Sequence, residues 1–220
     1  ELWWEKHPKG FVLIDKIIDI IYKYSQEYLF IVNANTYSFN LINRIQKIQR
    51  YFLNSIECGP INAENLEKII LRRHNSSGLK LKLRKNHHPN SLPLSTPRFF
   101  AAMFNYSKGN IGVSLQSWLA NIYDFDGKSI SVAAPKTINT EAFDKLEDEW
   151  YLLLLQFILH KRLTIEKLQK IQLENKEDIF QKIMVLKRAR LIEESKTNVY
   201  NINPYMYPHI IQKLVEKEMI

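Results

Sequence analysis

Apolar residues recur at three- and four-residue steps through residues 8–24, where Phe11, Ile14, Ile17, Ile18 and Ile21 alternate with Asp15, Lys16, Asp19 and Lys23. That period predicts an amphipathic helix, and Pro8 suits its first turn. A continuous apolar run follows: Tyr28, Leu29, Phe30, Ile31 and Val32, closed by Asn33, Asn35 and Thr36. A short run of this kind reads as a strand covered on both faces, as in a parallel sheet. A second helix over 39–48 and a second run at 51–56 repeat the alternation, which predicts α/β packing. Two strands do not make a doubly covered sheet, so further strands are expected to precede Glu1.

The middle of the chain reads differently. Residues 63–74 predict a helix with Leu66, Ile69, Ile70 and His74 on one face. Residues 84–97 hold three prolines and the pair His87 and His88, which predicts a loop. Residues 98–122 are expected to be helical with a break near Gly109, and 124–141 irregular or briefly extended. From Leu146 the pattern changes again. Residues 147–160 predict a strongly apolar helix. Thr164 is placed to cap a helix over 165–171, and Asn175 one over 176–189. Asp178 stands three residues after Asn175 in the manner of a capping box, and Ile179, Ile183 and Leu186, with Met184 beside them, form the buried stripe. Residues 191–194 and 199–202 flank a polar turn at 195–198, a hairpin signal. A last helix is expected over 208–219. Three helices and then a two-stranded hairpin is the winged-helix order. The expected domains are 1–60, 61–145 and 146–220.

Composition narrows the classes of function. Of the 220 residues 45% are hydrophobic and 25% charged, ordinary for a globular chain. No apolar run approaches the ~20 residues that span a bilayer, and no secretion signal opens the sequence. It starts on Glu1 rather than Met, so it is expected to be a piece of a longer chain. The single Cys58 excludes an intramolecular disulfide and a cysteine metal cluster, which fits a reducing, cytoplasmic setting. The adjacent His87 and His88 lack the further ligands a metal site needs, so no metal is expected. No Ser-His-Asp or Cys-His arrangement is legible. Asp124 and Asp126 read as turn residues. The net charge is +8, and its distribution carries more than its total. Between Arg44 and Lys108 twelve basic residues face three acidic ones; from Leu146 onward twelve face eleven. A basic middle suits nucleic acid, another polyanion or an acidic partner, and equally a plain solvated face.

One absence sets the frame. No G-x-x-x-x-G-K-[ST] occurs, and the six glycines are scattered, so backbone amides are not clustered to wrap phosphates. Yet the ordered series of elements resembles the AAA+ and signal-transduction ATPases that carry a C-terminal winged helix. In that pattern an apolar strand ends in a polar sensor, matched here by residues 29–32 followed by Asn33 and Asn35. A helix then leads to an arginine-aromatic pair, matched by Arg50 and Tyr51. A lid helix follows, matched by residues 64–74, and a later lid helix opens on a Gly-Asn signature, matched by Gly109 and Asn110. The usual lid arginine falls at Gly112, a departure more common in the signal-transduction branch.

The resemblance implies an α/β remnant of a P-loop ATPase core, a helical lid with a loop at 84–97, and a winged-helix domain. It makes Asn35, with Asn33 as alternative, the sensor that orients a water at the γ-phosphate. It makes Arg50, with Arg44 as alternative, the arginine finger. Gly109 and Asn110 become cofactor-contacting residues. The plain alternatives are helix capping for the asparagines and a helix-end charge for the arginines. ATP and Mg²⁺ are implied for the full-length protein, with no tight binding by this chain alone. The implied partners are the missing N-terminal ATPase half, further copies of the protein, and DNA. Helix 176–189 would be the reading helix, with Lys182, Lys187, Arg188, Arg190 and Lys196 facing phosphates. Glu177, Asp178, Glu193 and Glu194 stand beside them, and winged helices of such ATPases also serve as internal locks. Two other functions stay open: a winged-helix DNA-binding regulator, and a protein-interaction module without nucleotide.

Overall fold

The computed structural model describes residues 9–88, 90–136 and 145–220. It is mixed α/β, with helices predominating over small sheets. Two compact units emerge. One joins the described residues of Glu1–Glu57 to Leu146–Ile220; the other comprises the described residues of Cys58–Lys145. The first and last thirds of the chain therefore pack together instead of standing as separate segments.

The first unit is built around α6, Asp148–His160, named in chain order after the five helices that precede it. Its side chains are buried almost all round, from Tyr151 and Leu153 through His160, as expected of a helix without a polar face. Helix α1, Val12–Tyr24, buries Ile14, Ile18 and Ile21 and packs on a 3-10 turn at Ile48–Tyr51. Helix α2, Thr36–Gln46, packs on α6. Its Ser38 hydroxyl, fully buried, donates to the Leu159 carbonyl at 2.5 Å. That bond satisfies a carbonyl in the last turn of α6, where helical partners run out.

Helix α7 (Ile165–Gln172) is capped by Thr164, whose Oγ1 accepts from Lys167 N at 3.2 Å. Helix α8 (Lys176–Arg188) is capped by Asn175, whose Oδ1 accepts from Asp178 N at 2.9 Å. Asp178 does not close a capping box: its carboxylate meets the Asn175 side-chain amide, at 2.5 Å. The shorter Asp side chain stops at that amide where a Glu would reach the backbone. Ile179, Ile183 and Leu186 are buried as the stripe required. Strands β4 (Ile192–Lys196) and β5 (Val199–Ile202) form an antiparallel hairpin with Ile192 opposite Ile202. Leu163 and Tyr200 exchange both backbone bonds at 2.9 Å, so a third short extended segment flanks the hairpin. Helix α9, Tyr207–Glu216, closes the unit with Ile210 and Leu214 fully buried.

The second unit places helices on a three-stranded sheet. Helix α3 is Ala63–Asn75, α4 is Thr96–Ser107 and α5 is Ile111–Ala120. The strands are β1 (Lys80–Arg84), β2 (Ile122–Phe125) and β3 (Ser129–Ala133), in order β1-β3-β2. β1 runs parallel to β3 and β2 antiparallel to it. The core joins Leu66, Ile70, Leu83, Phe99, Phe100, Met103, Trp118, Ile130 and Val132. Trp118 stacks on Phe100 at 6.2 Å and meets Phe99 edge-on at 5.7 Å. His74, also buried, bonds the Leu79 carbonyl at 3.0 Å, the packing role its helix face implied. The sheet corrects the expectation of a purely helical lid. Its strands are short, and β1 alternates Lys with Leu, so only its leucines contribute apolar signal.

The two parallel strands expected in the first third are not there. Residues 28–35 are extended but unpaired, and residues 52–60 are irregular. Neither run lies beside the other in a sheet, and Tyr51 ends the 3-10 turn instead of opening a strand. Leu29 is 84% exposed, Ile31 86% and Ile56 83%. No helix among the described residues is long and apolar enough to cross a membrane. The expectation for Pro8 lies outside the described residues.

Candidate functional site

Asn35 closes the extended segment and opens α2. Its Oδ1 accepts from Tyr37 N at 2.9 Å, and its Nδ2 donates to the Tyr207 hydroxyl at 2.8 Å. Both ends of the amide are thus engaged, one in the helix cap and one across to α9. The Tyr37 hydroxyl is pushed above its ordinary range, first by burial and then by its proximity to Tyr207 and Glu57. Asn33 sits two residues earlier, exposed, with no hydrogen bond among the described residues. Of the two asparagines, Asn33 is the one whose amide is open to a ligand.

Arg50 lies in the last turn of the 3-10 segment, exposed and without an ion pair among the described residues. Arg44 is exposed in the last turn of α2. Both stand where a cation meets the negative end of a helical segment, and both heads point to solvent. Asn33, Asn35 and Arg50 belong to the same unit, but no bond links Arg50 to either asparagine.

Gly109 and Asn110 are held by local backbone needs. Gly109 has φ +78, and a Cβ there would stand 2.4 Å from the Ile61 carbonyl. The Ile61 N–H donates to the Gly109 carbonyl at 3.1 Å. Only glycine combines that conformation with that approach. Asn110 caps α5, its Oδ1 accepting from Val113 N at 3.0 Å. The Gly-Asn pair is therefore built as a helix start. At Gly112 a Cβ would meet only Asn110 Oδ1, at 3.3 Å, so the missing lid arginine is not a matter of severe crowding.

The five basic residues assigned to nucleic acid separate into two groups. Lys182 bonds Glu149, on α6, and both carboxylate oxygens of Glu174, the latter two at 2.8 Å and 2.9 Å, which ties α8 back to its own unit. Partial burial works against its charge, but the two carboxylates outweigh that and raise its pKa. Lys187 pairs with Glu194 on β4 at 2.6 Å, and that bond raises its pKa in turn. Arg188, Arg190 and Lys196 remain exposed. Arg190 and Lys196 border a shallow depression beside the hairpin, together with Glu193, Glu194 and Asn203. The exposed side of α8 also carries Phe180, Val185, Glu177 and Asp178. Apolar and acidic groups there are poor company for a phosphate backbone.

The Asn35–Tyr207 bond and the Glu149–Lys182–Glu174 bridge were not legible in the sequence. The first joins residues 172 positions apart, and neither has a spacing signature. Among the described residues no group of three His, Cys, Asp or Glu is arranged to hold a metal ion. No protein-family model, curated protein or solved structure matches the chain.

Proposed function

We propose that this chain is the sensor, lid and winged-helix portion of an ATP-dependent molecular switch, whose phosphate grip is supplied by residues outside it. The observation that carries the proposal is the state of residues 28–32 and 52–56. The first run is apolar throughout, the second carries Phe52, Leu53 and Ile56 around Asn54 and Ser55, and the backbone N–H groups of 29–34 make no bond among the described residues. Twelve of the twenty large hydrophobics exposed among the described residues fall between Val12 and Ile56. Side chains from both faces of 28–32 are exposed at once, which suits a central strand stripped of its neighbours and not a surface strand. A sheet that brings the triphosphate-binding loop would pair these runs and cover α1. Asn33 and Asn35 would then stand at the carboxyl end of a strand, where such sheets bind ligands.

The C-terminal elements support the switch half of the proposal. Three helices, the hairpin and the Leu163–Tyr200 bridge follow winged-helix order. The Asn35–Tyr207 bond runs from the sensor segment to the helix that closes this domain. A group at the γ-phosphate that changes the Asn35 environment would be felt directly at α9. A winged-helix DNA reader is the second possibility, favoured by the same element order and weakened by the pairing of Lys182 and Lys187.

Titration with Mg·ATP separates the proposal from its rivals. The 220-residue chain alone is expected to show no binding below millimolar concentration, and the protein completed by its phosphate-binding segment to bind and hydrolyse. Arg50→Ala in the completed protein is expected to lower hydrolysis by about 10³-fold or more if the arginine acts as a finger. Micromolar binding by the chain alone would overturn the proposed division.

A further inference from the structure

β1 alternates Lys80, Leu81, Lys82, Leu83 and Arg84. Leu81 and Leu83 join the core under the helices, so the three cations line the opposite face of the sheet. They repeat at about 7 Å along an outer strand. β3 runs alongside with Lys80 opposite Ser129 and Lys82 opposite Ser131, both serines buried. Lys128 sits in the turn before β3, and its carbonyl accepts from Lys80 N at 2.9 Å, so the two residues are neighbours. Lys85 follows in a bend past the end of the strand, out of the row.

Charge on this face is partly spent: the half-buried Arg84 guanidinium donates to the Ser91 carbonyl at 3.0 Å. Asp126 accepts from Ser129 Oγ at 2.6 Å and from Lys128 N at 2.9 Å, and it pairs with Lys82 at 3.3 Å. Asp124 is within 3.4 Å of Ser131 Oγ. Lys80, Lys85 and Lys128 are exposed and have no ion pair among the described residues. Residues 58–145 contain twelve Lys and Arg against six Asp and Glu, +6 of the net +8. Three residues past Arg84 the exposed His87 ring meets the half-buried Tyr123 of β2 edge-on at 5.6 Å.

The geometry points to a binding surface for single-stranded nucleic acid on this sheet face. An evenly spaced cationic row tracks a phosphate backbone, and the exposed His87 ring beyond its end offers stacking for a base. An acidic protein is a poorer fit, because the row Lys80, Lys82 and Arg84 carries no apolar anchor between its cations and protein interfaces need a desolvated centre. This surface belongs to the second unit and does not depend on ATP.

Anisotropy of a labelled oligothymidine strand with the full chain tests the assignment. Three phosphate contacts, from Lys80, Lys82 and Lys128, predict a salt slope of about −2.1 and about 18-fold weaker binding at 200 mM than at 50 mM salt. K80Q/K82Q/K128Q is expected to weaken binding at least tenfold and to flatten the slope to about zero. The single variants K80Q and K128Q, at exposed unpaired positions, should each reduce the slope by about 0.7 and melt as the parent does. K187Q/R188Q/K196Q, on the other unit, should bind within twofold of the parent. Unchanged binding by a folded K80Q/K82Q/K128Q overturns the assignment, as does loss of binding in the second triple variant. Competition by polyglutamate as strong as by unlabelled oligothymidine would also overturn it.

Discussion

Gly109 is the position where a single methyl group decides most. A Cβ at φ +78 and 2.4 Å from the Ile61 carbonyl forces the 60–61 backbone away from α5. Gly109→Ala is expected to cost about 3 kcal/mol in urea unfolding, from strain and overpacking together. Asn35 carries a smaller load. Asn35→Ala removes the α2 cap and the bond to the Tyr207 hydroxyl, about 1–2 kcal/mol by the same measurement. Asn35→Asp keeps the cap acceptor and loses only the donor to Tyr207, so it should fall between. At Asp126 the consequence is pH-dependent. Bonds from the Ser129 hydroxyl, then from the Lys128 and Ser129 amides, hold its carboxyl well below the ordinary range. Below about pH 3.9 the unfolded chain takes up this proton while the folded one does not. Its stabilisation is therefore present at neutral pH and lost as pH falls from there toward the lowered folded value. Asp126→Asn is expected to reduce the melting temperature at neutral pH and to flatten the acid side of the profile.

At the scale of elements, legibility followed packing. Helices with a clear apolar stripe, such as α1, α3 and α8, were readable, because Ile14, Ile18, Ile21, Leu66, Ile70, Ile179 and Ile183 are all buried. Caps at Thr164 and Asn175 were readable because a side-chain oxygen before an apolar period has few other uses; Asn110, read as a cofactor contact, caps α5. Helix α2 begins at Thr36, three residues before its expected start, since the Asn35 cap outweighs the weaker period of its first turn. β1 escaped notice because cations supply three of its five residues. Residues 28–32 and 52–56 have strand composition without strand partners, and composition alone does not reveal whether the neighbours are present. The stripe of α8 gives a direct check: Ile183→Ala, at a fully buried site, is expected to cost about 3 kcal/mol in denaturant unfolding. Lys182→Ala should cost far less, because its partners Glu149 and Glu174 keep access to water.

The whole molecule is two units of different character. Residues 58–145 hold an aromatic core under a sheet whose outer face is basic, with net charge +6. The other unit, with net charge +2, gathers most of the exposed apolar surface in its first 57 residues and a well-buried helical core in its last 75. That contrast was only half visible in the sequence. The charge asymmetry and the change of pattern at Leu146 could be counted; the joining of the two chain ends rests on long-range contacts such as Ser38–Leu159, which leave no local mark. Amide hydrogen exchange over residues 29–34 tests the central claim most directly. In the 220-residue chain these amides should exchange within seconds, and in the protein completed by its phosphate-binding segment they should be protected to the level of core strands. Protection already present in the chain alone, or absent in the completed protein, would contradict it.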